Sequence, residues 1–172
     1  EKDITAALDA LQNTGAKATF FLSKEFITEA GAAPLVKRMV EEGHQIGNRG
    51  SIEGSMSALS ADEFKRALEA VENGFKSIMG NNDAEIKFYR PFGGIFSIRD
   101  LALAKQKGYT TVLWTSLYAS QPLDSLESRI NAELQKNSIF SLMAYSIQGD
   151  RETLEKGIQA AAAKYNLMLL GN

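Results

Sequence analysis

Gly15-Ala-Lys-Ala-Thr-Phe-Phe-Leu22 decides the fold, because a glycine stops a helical pattern there and a β-prone run starts two residues later. Upstream of it, Ile4, Leu8 and Leu11 recur at helical spacing, so a helix leads into a strand from Lys17 to Leu22. The same unit recurs downstream. Leu35, Val36, Met39 and Val40 form a helical stripe that ends at Gly43, and Gln45 to Gly47 reads as a short strand. Ser60-x-x-Glu63 is a capping box for a helix carrying Phe64, Leu68, Val71 and Phe75, followed by a strand over 86–89. Helices near 98–106, 123–135 and 151–165 then alternate with strands over Thr110 to Trp114, Ser138 to Met143 and Leu167 to Leu170. Such alternation predicts an α/β fold whose parallel sheet is covered by helices, either doubly wound or closed into a barrel. Periodicity does not choose between those two. With 172 residues, 44% of them hydrophobic, and no linker or short repeat, the expectation is one domain over 1–172.

Composition narrows the partners. A net charge of -2, with acids and bases interleaved, gives no electrostatic case for nucleic acid. No apolar run approaches the roughly 20 residues of a membrane helix, so no membrane span is expected in this sequence. The absence of cysteine removes disulfides and thiolate chemistry but leaves the compartment open. A first residue of Glu1 is read as a processed or truncated N-terminus with any targeting segment upstream.

Three strings, in this order and at these separations, carry a resemblance: Gly15 to Leu22, Glu42-Gly-His-Gln-Ile-Gly-Asn48, and Tyr89-Arg-Pro-Phe-Gly-Gly94. Together they resemble the polysaccharide deacetylases of the NodB-homology type over essentially the whole chain. The resemblance implies a distorted (β/α) barrel, with six strands in this chain and a seventh upstream of Glu1 carrying a Thr-Phe-Asp-Asp motif. The edge left beside Lys17 to Leu22 would then be covered by an upstream segment, a partner chain or a local rearrangement.

Family members remove acetyl groups from sugars with a divalent metal such as zinc, held by one aspartate and two histidines, a second aspartate as base and a late histidine as acid. This chain has one histidine, His44, which matches a non-ligand position of the family and reads as a half-buried strand residue. Where the family has its ligand pair after Asn48, this chain has Arg49 and Glu53; arginine cannot coordinate a cation. The two could form an ion pair in the metal's place, or simply be two solvated charges. Arg90 matches the arginine that orients the catalytic base and is the one polar site residue retained, although bonding to backbone carbonyls would also explain it. Thr115 to Ser120 lacks the acid and tryptophan that support the late histidine, and Met143 or Ala144 stands where that histidine belongs. Trp114 is either a sugar-stacking surface or a core aromatic. Tyr145 completes the candidates. The ligands for a metal are therefore absent, and no cofactor is expected.

The leading expectation is a catalytically inactive deacetylase homologue at the bacterial cell surface, binding cell-wall or acetylated glycan or serving as a scaffold. The alternative is a hydrolase of N-acetylated sugars with a rearranged site built from upstream aspartates, Arg90, Glu53 or Tyr145. A purely structural domain of an exported protein is the third reading.

Overall fold

The computed structural model describes residues 2–52, 55–118, 126–133, 135–136, 139–142 and 151–171. They divide between two compact units, Glu1–Ala18 with Trp114–Asn172, and Thr19–Leu113.

The Thr19–Leu113 unit holds a four-stranded parallel sheet in the order β1 (Thr19–Ser23), β2 (Gln45–Gly50), β3 (Phe88–Tyr89), β4 (Thr110–Thr111). Each crossover is helical: α2 (Lys24–Ile27) and α3 (Ala32–Glu41) lead to β2, α4 (Ala61–Met79) to β3, and α5 (Ile98–Gln106) to β4. α4 begins where the capping box places it: the Glu63 amide donates to the Ser60 hydroxyl at 3.3 Å and the Ser60 amide to the Glu63 carboxylate at 2.8 Å. It ends at Gly80, whose φ of +62° is left-handed. Between those caps Phe64, Ala67, Leu68, Val71 and Phe75 share one buried face. Phe64 and Leu68 pack there with Tyr89, Leu103, Ala104 and Tyr109. Fully burying a side chain of Phe or Leu size contributes about 1.5–3 kcal/mol. This one face therefore ties helix to sheet.

α5 occupies the span read from the sequence. Asp100, inside its first turn, is buried and accepts hydrogen bonds from the Ser97 amide at 2.8 Å, from the Ser57 hydroxyl and from Arg99. The cap thus also fastens the 3₁₀ turn Met56–Ala58.

In the other unit, α1 (Lys2–Thr14), α6 (Leu126–Glu133) and α7 (Arg151–Lys164) pack through Ala6, Ala7, Ala10, Leu126, Ile130, Leu154 and Ala161. Gly157 is what lets α6 close on α7, since a Cβ there would lie 2.7 Å from Leu126 Cδ2. β5 (Ser116–Tyr118) and β6 (Phe140–Leu142) form a separate parallel pair.

Two sequence expectations are corrected. The strand read over Thr110 to Trp114 stops at Thr111, because its partner β3 is only two residues long and runs into Pro91, which has no N–H for the ladder. The strand that follows, Ser116–Tyr118, pairs with β6 and not with β3. The strand read over Leu167 to Leu170 is not formed: residues 166–169 have no regular structure, and Leu167 packs against the α1, α6, α7 cluster. Its hydrophobicity serves helix packing. Among the described residues no helix is long and apolar enough to cross a membrane.

Candidate functional site

The ends of β1, β2 and β3 position the residues that the sequence singled out around Asn48. β1 and β2 run in register from Thr19↔Gln45 to Leu22↔Asn48 and resume at Ser23↔Gly50, so Arg49 is the extra residue of a bulge. Bulges re-aim a side chain, and here the side chain is a guanidinium. Gly50 makes the turn with φ +69°, and a Cβ there would meet Met56 Cε at 2.6 Å. Asn48, fully buried, braces the bulge from beneath. Its Nδ2 donates to the Leu68 carbonyl at 2.9 Å and to the Tyr109 hydroxyl at 2.7 Å, while its Oδ1 accepts from the Gly50 amide at 2.8 Å. Tyr109 passes its own proton toward Glu72 at 2.5 Å. Burial first, then the Glu72 carboxylate, pushes the Tyr109 hydroxyl well above the usual phenol range.

Arg90 leaves β3 beside this bulge. Asn48 is in register with Tyr89, and the Arg90 amide donates to the Asn48 carbonyl at 2.9 Å. Each guanidinium lies on an aromatic ring: Arg49 over Phe92 at 4.6 Å, Arg90 over Phe21 at 4.4 Å. Phe21 reaches its place because its register partner is Gly47, where a Cβ would fall 2.5 Å from Phe21 Cδ1. Phe92 is placed by the turn Phe92–Gly94, in which Gly93 and Gly94 take φ of +61° and +71°. Burial, followed by the charge on Arg49, lowers the Arg90 pKa to about 10. The guanidinium still carries its charge at neutral pH. Arg49 and Arg90 therefore interact as two cations held on adjacent strand ends.

The segment after Arg49 is held by Glu25, from the first turn of α2. Its carboxylate accepts from the Ser51 hydroxyl at 2.5 Å and the Ile52 amide at 3.1 Å. Burial pushes this carboxyl up, but those hydrogen bonds outweigh it and leave the pKa below the ordinary carboxylate value.

The structure brings Arg49 and Arg90 together. Glu53 and Tyr145, like Met143 and Ala144, lie outside the described residues. Trp114 is half-buried, beyond the end of β4, and belongs to the other compact unit. His44 is buried at the start of β2 against Phe20, ring centroids 5.4 Å apart, with Nε2 3.5 Å from the Glu42 carboxylate. Glu25, Asn48, Tyr109 and the two phenylalanine seats were not singled out from the sequence. Ser23-Lys-Glu25 carries only the ordinary signal of a helix start, and nothing in a sequence marks a phenylalanine as a guanidinium's seat. Among the described residues no three of His, Cys, Asp and Glu are grouped so as to hold a metal ion.

Residues 1–112 match the polysaccharide deacetylase family. The chain is 30% identical over 122 residues to the peptidoglycan-N-acetylmuramic acid deacetylase PdaA of Bacillus subtilis, covering 71% of this chain and 45% of that one. It is 39% identical over 108 residues to an uncharacterized 30.6 kDa protein of Geobacillus stearothermophilus, covering 63% and 39%. The solved structure of PdaA, a family 4 carbohydrate esterase, superposes with a TM-score of 0.83 at 23% identity, over 96% of this chain and 72% of that chain. A family 4 pseudoenzyme from Bacillus anthracis superposes with a TM-score of 0.80 at 21% identity, over 97% and 58%. This chain spans less than half the length of the curated relatives it matches. The distorted (β/α) deacetylase fold expected from the three motif strings is the fold these structures share with it. With the family matched across residues 1–112 and its fold shared along nearly the whole length, this chain belongs to the polysaccharide deacetylase family.

Proposed function

We propose that this chain binds cell-wall glycan without deacetylating it, outside the cytoplasm, using the surface where the family's reaction takes place. The observation that carries this reading is Arg49. A divalent metal needs neutral imidazoles and carboxylates converging with one position left open. At the first of the family's two histidine positions this chain presents a guanidinium, which has no lone pair for a cation and brings a fixed positive charge instead. A second guanidinium, Arg90, stands beside it on the neighbouring strand. That donor set does not fit a divalent cation, and the reading assigns no metal and no hydrolytic step. What Arg49 and Arg90 do supply is planar N–H donors above aromatic rings, a surface suited to polar and ring-stacked ligands such as sugars. The extracytoplasmic placement rests on the relatives, since the one from Bacillus subtilis is named for action on peptidoglycan.

Co-sedimentation with purified peptidoglycan, run beside an acetate-release assay on the same samples, tests the reading. Expected are saturable binding and no acetate above a heat-inactivated control, with or without added zinc. Acetate release that depends on metal and disappears on R90A would establish the hydrolase alternative instead.

A further inference from the structure

Three consecutive amides after Arg49 are caught by side chains. Gly50 donates to Asn48 Oδ1 at 2.8 Å, Ser51 to Met56 Sδ at 3.4 Å and Ile52 to a Glu25 carboxylate oxygen at 3.1 Å. The first two acceptors lie two and five residues from their donors and are local to the segment, whereas the third comes from 27 residues upstream, on α2. A thioether sulfur is a weak acceptor, and a carboxylate makes charge-assisted bonds that are shorter and stronger than neutral ones. Glu25 is ionised at neutral pH, since its pKa lies below the ordinary carboxylate value, and its other oxygen accepts from the Ser51 hydroxyl at 2.5 Å. One carboxylate therefore closes on two neighbouring residues of the segment that carries Arg49.

The place of Glu25 is itself fixed. Ser23 Oγ caps α2 by accepting from the Phe26 amide at 3.2 Å, and Ile27, at the other end of α2, is buried against α4 at Gly74. A Cβ at position 74 would lie 2.7 Å from Ile27 Cγ1, so the missing side chain is what lets α2 sit this close to α4. The two bonds from Ser51 and Ile52 thus run to a short helix that is packed in place.

We propose that Glu25 is the positioning residue of the glycan surface, fixing the segment from Arg49 to Ile52 in its binding geometry, as a metal does for a loop that carries its ligands. The proposal rests on the glycan-binding reading above and adds the residue on which that surface depends. Glu25 acts through Ser51 and Ile52 and makes no contact with the sugar.

E25A removes both bonds. E25Q removes the charge but keeps a side chain of the same shape, whose carbonyl can accept from the Ile52 amide while its NH2 donates to the Ser51 hydroxyl. Three readouts are compared: amide exchange at Ile52, the position of the Arg49 Nε–Hε signal, and co-sedimentation with purified peptidoglycan. In E25A the Ile52 amide is expected to exchange at least about tenfold faster, the Arg49 signal to move, and saturable binding to weaken by about tenfold. E25Q is expected to restore most of all three. Melting curves by circular dichroism check that the variants are folded. If E25A does not fold, S51A replaces it, keeping the bond to Ile52 and giving smaller changes of the same sign. Unchanged exchange and an unmoved Arg49 signal in E25A overturn the proposal. So does peptidoglycan binding that survives once the segment is released, which would make the contact a matter of folding alone. A loss in E25Q as large as in E25A overturns it too, because the charge and not the hold would then matter. If the unaltered protein binds no peptidoglycan, the glycan reading falls by itself. The hold of Glu25 is then decided by the other two readouts, supported if both respond in E25A and recover in E25Q, and overturned if they do not.

Discussion

Tyr89 and Asp100 show opposite fates of a buried polar side chain. The Tyr89 hydroxyl is fully buried, has no hydrogen-bond partner among the described residues, and is pushed above the usual phenol range by burial and, secondarily, by Asp100's charge. An unmade hydrogen bond in the interior costs about 1–3 kcal/mol. The ring itself packs edge-on against Phe64 at 5.8 Å and Tyr109 at 6.3 Å. Y89F is therefore expected to keep the packing and raise stability by about 1 kcal/mol, read as a higher urea midpoint at unchanged slope. Asp100 is the reverse case. Burial alone would raise its pKa, but hydrogen bonds from Ser57, Ser97 and Arg99 dominate and hold it below the ordinary 3.8. A depressed carboxyl stabilises the fold at every pH above its unfolded value and loses that contribution as pH falls through the folded value. D100N should lower stability near neutrality, and the gap between variant and parent should close below about pH 4. Urea midpoints measured from pH 6 down to 3 check this, and a gap constant across that range would contradict it.

At the scale of elements, the β1–β2 pair sets the site through one missing atom. Gly47 has an ordinary backbone conformation, so alanine there is permitted by φ and ψ and opposed only by Phe21, 2.5 Å from where the new Cβ would stand. Overpacking of this kind costs about 1–3 kcal/mol. G47A should destabilise by that amount and also unseat Arg90 from the Phe21 ring. A double-mutant cycle with F21L separates the two consequences. Stability should be largely regained in G47A/F21L because the leucine yields space, whereas the Arg90 Nε–Hε signal should stay displaced because no ring remains beneath it. Recovery of both would mean that Phe21 is not the seat.

For the molecule as a whole, the proposal that no metal is bound becomes a linkage statement. A one-to-one site of micromolar affinity at a hundredfold excess of zinc would add about 2.7 kcal/mol to the folded state. In a chain of 172 residues that is several degrees of melting temperature, at roughly 2–4 °C per kcal/mol. Zinc or cobalt at 100 µM, or a chelator in their place, should leave the melting curve unmoved within about a degree. An upward shift of several degrees, with a matching calorimetric stoichiometry of one, would show that the chain assembles a metal site by another route.

Local patterns carried most of the α/β alternation. Ser60-x-x-Glu63 fixed the start of α4 because a capping box is satisfied within four residues, and the helix read near 98–106 is α5. Arg49 and Arg90 could be named as candidates because a resemblance in order and spacing needs no coordinates. Other features depended on partners far away in sequence. Leu167 to Leu170 looked like a strand because β-propensity cannot tell a ladder from a segment whose Leu167 packs on helices, and Leu113 and Trp114 left the sheet because Pro91 ended the neighbouring strand. The bulge at Arg49 is a mismatch between two strands 26 residues apart, visible only once Ser23 is found opposite Gly50. The same holds for the pairing of the two guanidiniums and their seats on Phe92 and Phe21. Which charged residue follows Asn48 was written in the sequence. That a second stands beside it, with rings beneath both, was decided by tertiary structure, because strand register and not chain order determines which side chains meet.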